Sequence, residues 1–164
     1  LHLHHTSEDD LLWPLLVERS SPSTELVQRM QAQHADVDEG LGRLETVLAR
    51  WETEARPAVA REAAGVMNQL RQIVVEHLDE EEKQSLPVAE ASITPQEWAS
   101  VGKAGVAKMT RAELPLMFGA LLEDASDVER RQMLQSLPLP IRYLMRTWGS
   151  VHYRRYITTV RGLR

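Results

Sequence analysis

His4-His5-Thr6-Ser7-Glu8-Asp9-Asp10-Leu11-Leu12-Trp13-Pro14 can be laid over His77-Leu78-Asp79-Glu80-Glu81-Glu82-Lys83-Gln84-Ser85-Leu86-Pro87 at a constant offset of 73 residues. Both segments have a histidine, a glutamate four places on, an acid directly after it, and a proline ten places after the histidine. On a helix, residues four apart project from one face with Cβ atoms about 5 to 6 Å apart, so one imidazole and one carboxylate can converge on a single cation. Two such helices facing each other would supply two carboxylates able to bridge a pair of metals and two imidazoles to cap them. The core of a helix bundle is where such sites are built.

The chain around these segments reads as helix. Residues 1 to 18 read as the end of one helix running into Pro14, followed by a loop of Ser20, Ser21, Pro22, Ser23 and Thr24. From Glu25 to about Glu52, Leu26, Met30, Val37, Leu41, Leu44 and Leu48 recur at helical spacing, and His34 falls on the same stripe. After Arg56 and Pro57 a third helix carries Val66, Leu70, Ile73, Val74 and His77, with Pro87 expected to stop it. His34 and His77 therefore point inward. Thr94 to Glu97, Thr110 to Glu113 and Ser126 to Glu129 each read as a capping box that starts a short helix. A last, aromatic-rich element holds Pro138, Pro140, Tyr143, Trp148, Tyr153 and Tyr156, and reads as packing on the bundle rather than lying on a membrane surface. No stretch alternates with period two and no Asn-Gly or Asp-Gly turn occurs, so the expected class is all-α.

Composition narrows the chemistry. A chain of 164 residues, 43% hydrophobic and 26% charged, fits one domain or one domain with an appendage. It has no apolar run long enough to span a bilayer and no secretory leader pattern. Without cysteine, disulfides, thiolate metal sites and cysteine nucleophiles are excluded, and any metal must be held by histidine and carboxylate. A reducing cytoplasm fits that composition. Residues 1 to 129 hold 11 basic and 24 acidic side chains, whereas residues 130 to 164 hold eight arginines and no acid. The basic tail reads as a solvated face or an intramolecular dock, which argues against nucleic acid as a partner.

The candidate metal ligands are His4, Glu8, His34, His77 and Glu81. Glu81 stands out from Glu80 and Glu82 because they are rotated about 100° to either side of the His77 face. His2 and His5 are expected to be exposed or supporting, since only His4 combines a glutamate partner with the repeated proline register. His5, Asp9, Asp38 and Glu82 are kept as candidates for additional ligands or for hydrogen-bonding support behind them, with Asp38 read as surface. A ferritin-like carboxylate site does not fit, because Gln31 and Val74 stand where its Glu-x-x-His spacing needs acids.

These residues resemble the hemerythrin-like, or HHE cation-binding, proteins over about residues 1 to 90. The family pattern His-x-x-x-Glu-Glu-x-x-Leu-aromatic-Pro is met by His4, Glu8, Asp9, Leu12, Trp13 and Pro14, with Asp in the second acid place. His77, Glu81, Glu82, Leu86 and Pro87 meet the later pattern, and Gln33 with His34 meets the single-histidine helix between them. The resemblance implies a hemerythrin-like up-down four-helix bundle over residues 1 to 90, with residues 91 to 164 as a C-terminal helical extension of the kind found in some actinobacterial members. It further implies two non-haem irons bridged by Glu8 and Glu81, His4 capping one and His34 with His77 serving the other. The family's first helix normally adds a histidine. That helix is expected to be missing from this chain, which opens on Leu1, and His2 lies on the wrong face to replace it. Respiratory hemerythrins carry a further histidine where this chain has Asp38, which argues against oxygen carriage.

The ligand set suits iron, with manganese or zinc as alternatives in a purified sample. Leu11, Leu12, Met30, Val37, Leu70 and Val74 are expected to wall the site. The expected activity is binding of dioxygen, nitric oxide or peroxide in sensing, storage or stress response, with a peroxide-decomposing redox enzyme and a metal-free helical interaction module as alternatives. No catalytic base, nucleophile or phosphate loop is apparent, and a homo-oligomer stays open.

Overall fold

A proline within a helix lacks a donor and presses on the carbonyl four residues back, so Pro14 and Pro87 should each end the helix that carries a His/Glu pair. Neither does in the computed structural model. It describes residues 1–20, 23–110, 112–137 and 139–162, among which every regular element is helical. Ser21 and Pro22 of the expected loop, Arg111 of the second capping box, Pro138 of the aromatic segment, and the last two residues lie outside the described residues.

α1 (His2–Ser7) continues through a π-turn, Glu8–Leu12, into α2 (Trp13–Arg19). α4 (Pro57–Glu80) likewise continues through a π-turn, Glu81–Ser85, into α5 (Leu86–Ser92), so the stop expected at Pro87 is corrected to Ser92. In each case the residue before the proline donates its N–H five residues back, Trp13 to Glu8 and Leu86 to Glu81. The wider turn moves the obstructing carbonyl away from the pyrrolidine ring. It also keeps side chains in register. Glu8, Leu12 and Leu16, and His77, Glu81, Ser85 and Ala89, are buried at strict four-residue spacing. At 3.6 residues per turn each step of four overshoots by about 40°, and the π-turn absorbs that drift.

Two compact units divide the chain, Leu1–Gly105 and Val106–Arg164. In the first, α3 (Ser23–Glu54) packs chiefly on α4, and α2 packs on α3 and α5. The pairs Arg50 with Glu62, Gly40 with Leu70 and His34 with His77 show that α3 and α4 run antiparallel. One apolar cluster gathers Leu12, Trp13, Leu16, Leu26, Val27, Met30, Ala89 and Val101, the last from α6 (Pro95–Ala107). A second cluster of Val47, Val59, Ala63 and Val66 closes the far end of the α3/α4 pair. Arg19 ties the end of α2 to this unit through two hydrogen bonds to Glu97 and one to the Ser92 carbonyl. Between the clusters α3 and α4 approach closely. A Cβ on Gly40 would stand 2.9 Å from Leu70 Cδ1. Alanine can be fitted if that methyl turns, but two further carbons cannot, so Gly40→Val should destabilise the fold by about 1–3 kcal/mol in urea unfolding.

The second unit holds α7 (Glu113–Asp124), α8 (Asp127–Ser136), α9 (Leu139–Leu144) and α10 (Ser150–Val160), with a third π-turn at Met145–Gly149. α7 and α10 touch where Gly119 meets Tyr153, whose ring leaves no room for a Cβ. Tyr153 and Arg161 both hydrogen-bond to Glu123. The reciprocal bonds of all three expected capping boxes are present, joining Thr94 with Glu97, Thr110 with Glu113, and Ser126 with Glu129. Among the described residues no helix is long and apolar enough to cross a membrane.

Candidate metal centre

The two π-turns begin on the two glutamates of the repeat, and their N-terminal flanks carry the histidines, so the repeat is built in three dimensions as well as in sequence. Six side chains come together in two groups, each with ligand atoms within 4.8 Å of one another. One is His5, His34 and His77; the other is His4, Glu8 and Glu81. Glu8 joins the groups. Its Oε1 lies 3.3 Å from His4 Nε2 and its Oε2 lies 3.6 Å from His34 Nε2, while Glu81 Oε2 stands 3.9 Å from His77 Nε2.

The five expected ligands are thus gathered, and His5 joins them. It was expected to be exposed or supporting, yet it is buried, stacked on His34 at 4.1 Å between ring centroids and edge-on to His77 at 5.0 Å. The signal that could have found it is its position three residues before Glu8, a spacing that shares a helix face as well as four does. The repeat hid it, because Leu78 stands in the matching place of the second copy.

The supporting candidates separate by position. Asp9 Oδ1 receives His34 Nδ1 at 3.0 Å, so it stands behind a candidate ligand. Asp38 pairs at the surface with His2 Nδ1 at 3.0 Å, and Glu82 is exposed. Gln33, which was not among the candidates, meets His77 Nδ1 with its Oε1 at 3.0 Å. Leu12, Met30, Val37 and Leu70 are buried and Val74 is half-buried, but Leu11 is exposed, because its neighbour Leu12 takes the inward direction.

The electrostatics of the group are those of a site built for a cation. Burial pushes the Glu8 carboxyl up to about 9, and the adjacent Glu81 carboxylate adds to the shift. Burial and the neighbouring imidazoles push His5 down to about 3 and His34 to about 4, and burial lowers His77 as well. The imidazoles are therefore neutral at neutral pH, the form that binds metal. Both ring nitrogens of His5, Nε2 of His34, Nε2 of His77 and Glu8 Oε2 are buried without a hydrogen-bond partner. At about 1–3 kcal/mol for each atom left unpaired, five in one interior would cost about as much as the whole stability of a typical domain. Cation binding would relieve that cost, and the donor set of imidazoles and carboxylates fits it. The orientation of the rings agrees, since His34 and His77 use Nδ1 for support and turn Nε2 inward. The burial is uneven: His5, His34 and His77 are enclosed, whereas the His4 side chain is about half exposed, at 52%.

The family model of the hemerythrin HHE cation binding domain matches residues 1–89. Comparison with curated proteins and with solved structures finds no match. The matched segment takes in both π-turns, all six converging side chains and more than half of the chain. On these grounds the chain belongs to the hemerythrin HHE cation-binding domain family.

Proposed function

We propose that this chain is a non-haem di-iron protein that binds dioxygen, nitric oxide or peroxide in sensing, storage or stress response, in the cytoplasmic setting that its cysteine-free composition fits. The observation that carries the reading is the convergence of unpartnered buried imidazole nitrogens of His5, His34 and His77 and the unpartnered Glu8 Oε2, beside His4 and Glu81. In this reading His5, His34 and His77 would hold one iron and His4 the other, with Glu8 and Glu81 shared between them. Bound iron would supply a redox-variable Lewis acid on which such a small ligand can be held. The chain's own part is to keep the imidazoles neutral and aimed, to hold two carboxylates side by side, and to keep water from the enclosed side with Leu12, Met30, Val37 and Leu70. His4, the exposed member, leaves the other side open to a diffusing ligand.

Anaerobic reconstitution of the full chain with Fe(II), removal of excess and metal quantification test the reading. Close to about two irons per chain are expected, falling below about one in His77→Ala. A content below one that His77→Ala does not change would leave only a metal-free helical module. Release of oxygen on adding peroxide to the iron-loaded protein would move the assignment from binding to peroxide decomposition.

A further inference from the structure

Gln33 stands behind His77, and Glu80 is joined to the centre through it. Gln33 Oε1 faces His77 Nδ1 at 3.0 Å, and Gln33 Nε2 donates to Glu80 Oε2 at 2.7 Å. Glu80 Oε1 in turn accepts from Arg29 Nε at 3.0 Å and from Gln84 Nε2 at 3.3 Å. Arg29 is exposed, Gln33 and Glu80 are half-buried, and His77 is fully enclosed, so the series runs from the surface to the centre.

Each step of this series has only one workable polarity. A carboxylate paired with a guanidinium offers acceptors alone, so only the NH2 end of the Gln33 amide can face it. The amide oxygen is thereby turned to His77, and an oxygen can be met only by an N–H. Nδ1 must then carry the imidazole proton, and Nε2 must present its lone pair toward His5, His34 and Glu81. We propose that Arg29, Glu80 and Gln33 form a polarity relay from the surface that fixes the tautomer and orientation of His77 for metal binding. The proposal rests on the metal reading above and adds to it three positioning residues. His34 gets the same service from Asp9 in a single step.

The relay predicts a reversal that packing alone does not. In Glu80→Gln, Arg29 keeps the new amide's oxygen, so its NH2 faces Gln33. Gln33 then turns over, its NH2 faces His77, and the imidazole proton moves to Nε2, where it blocks the metal-facing lone pair. In the double variant Gln33→Glu with Glu80→Gln, the carboxylate at position 33 accepts from both neighbours, and the proton returns to Nδ1. All these replacements are nearly isosteric, so a role in packing alone leaves the variants alike.

The test reads the His77 tautomer in metal-free protein by long-range proton–nitrogen correlation NMR, and Fe(II) affinity by anaerobic competition with a chelator. Expected are Nδ1–H in the wild type, Nε2–H in Glu80→Gln with affinity lowered about 10–100-fold, and recovery of both in the double variant. Nδ1–H retained in Glu80→Gln overturns the relay, as does a reversed tautomer with unchanged affinity. A wild type that takes up no Fe(II) overturns the metal reading instead, and the tautomers, read without metal, show which of the two has failed.

Discussion

Replacing Glu8 by glutamine is expected to strip the centre of metal while leaving the metal-free protein more stable at neutral and alkaline pH. Glu8 is 2% exposed, and its carboxyl is pushed up to about 9 by burial and by Glu81 beside it. The metal-free native state therefore keeps a proton that the unfolded chain releases near 4.5. Between these two values the native state binds more protons than the unfolded state, so stability falls as pH rises through that window. Below about 4.5 both states are protonated and the contribution vanishes. An amide in the same place has no proton to lose. The difference in stability between Glu8→Gln and wild type should accordingly grow from pH 5 to pH 9 in favour of the variant. His5, held down to about 3, acts with the opposite sign, adding stability as pH rises from about 3 to its ordinary 6.5, and it does so in both proteins. Iron behaves in the contrary way. Glu8 lies 3.3 Å from His4 Nε2 and 3.6 Å from His34 Nε2, so it reaches imidazoles of both groups, and removing even the partners behind metal ligands costs about 10–100-fold in affinity. Loss of Glu8 itself should cost at least about 100-fold. Thermal unfolding of metal-free protein at pH 5, 7 and 9, beside iron quantification, checks both halves. A stability difference that does not widen with pH would remove Glu8 from the buried, protonated state described here.

Much of this cluster was legible because its candidate ligands lie at helical spacings that sequence displays directly. His4 with Glu8 and His77 with Glu81 declare a shared face, and the apolar stripe through Met30 and Val37 turns His34 inward. Two things were not legible. The prolines at 14 and 87 read as breakers, since the rule for proline concerns a 3.6-residue helix and is silent about a helix that widens to pass it. That widening holds Glu8 in line with Leu12 and Leu16, and Glu81 in line with Ser85 and Ala89, while leaving Leu11 outside. The other is the placing of side chains by hydrogen bonds across helices. Gln33 and Glu80 are 47 residues apart, and only the antiparallel register of α3 against α4 brings them together. His5 lies between these cases, visible at three-residue spacing from Glu8 but discounted because the second copy has no counterpart.

Trp13→Ala should be the most damaging single replacement for the fold, and iron should repair part of the damage. Trp13 is 1% exposed within the cluster of Leu12, Leu16, Leu26, Val27, Met30, Ala89 and Val101, and its ring lies 6.1 Å from that of His34. Removing such a buried indole leaves a cavity between α2, α3 and α5 that helices anchored by their own hydrogen bonds can only partly close. The loss is about 3–5 kcal/mol, from a total that for a domain of this kind is about 5–15 kcal/mol. Trp51, 44% exposed near the end of α3, gives the comparison, and its replacement by alanine should change stability by no more than about 0.5 kcal/mol. Urea unfolding followed by circular dichroism separates the two, and equal losses would contradict the burial on which the core is argued. A ligand that binds only the folded state stabilises it by about 4.1 kcal/mol at a thousand times its dissociation constant. Trp13→Ala keeps all six converging side chains, so saturating Fe(II) should recover most of its lost stability, whereas Glu8→Gln, sound in fold but without that carboxylate, should gain little from the same iron. Opposite responses in these two variants would show that the packing around Trp13 and the chemistry around Glu8 are separable properties of one bundle.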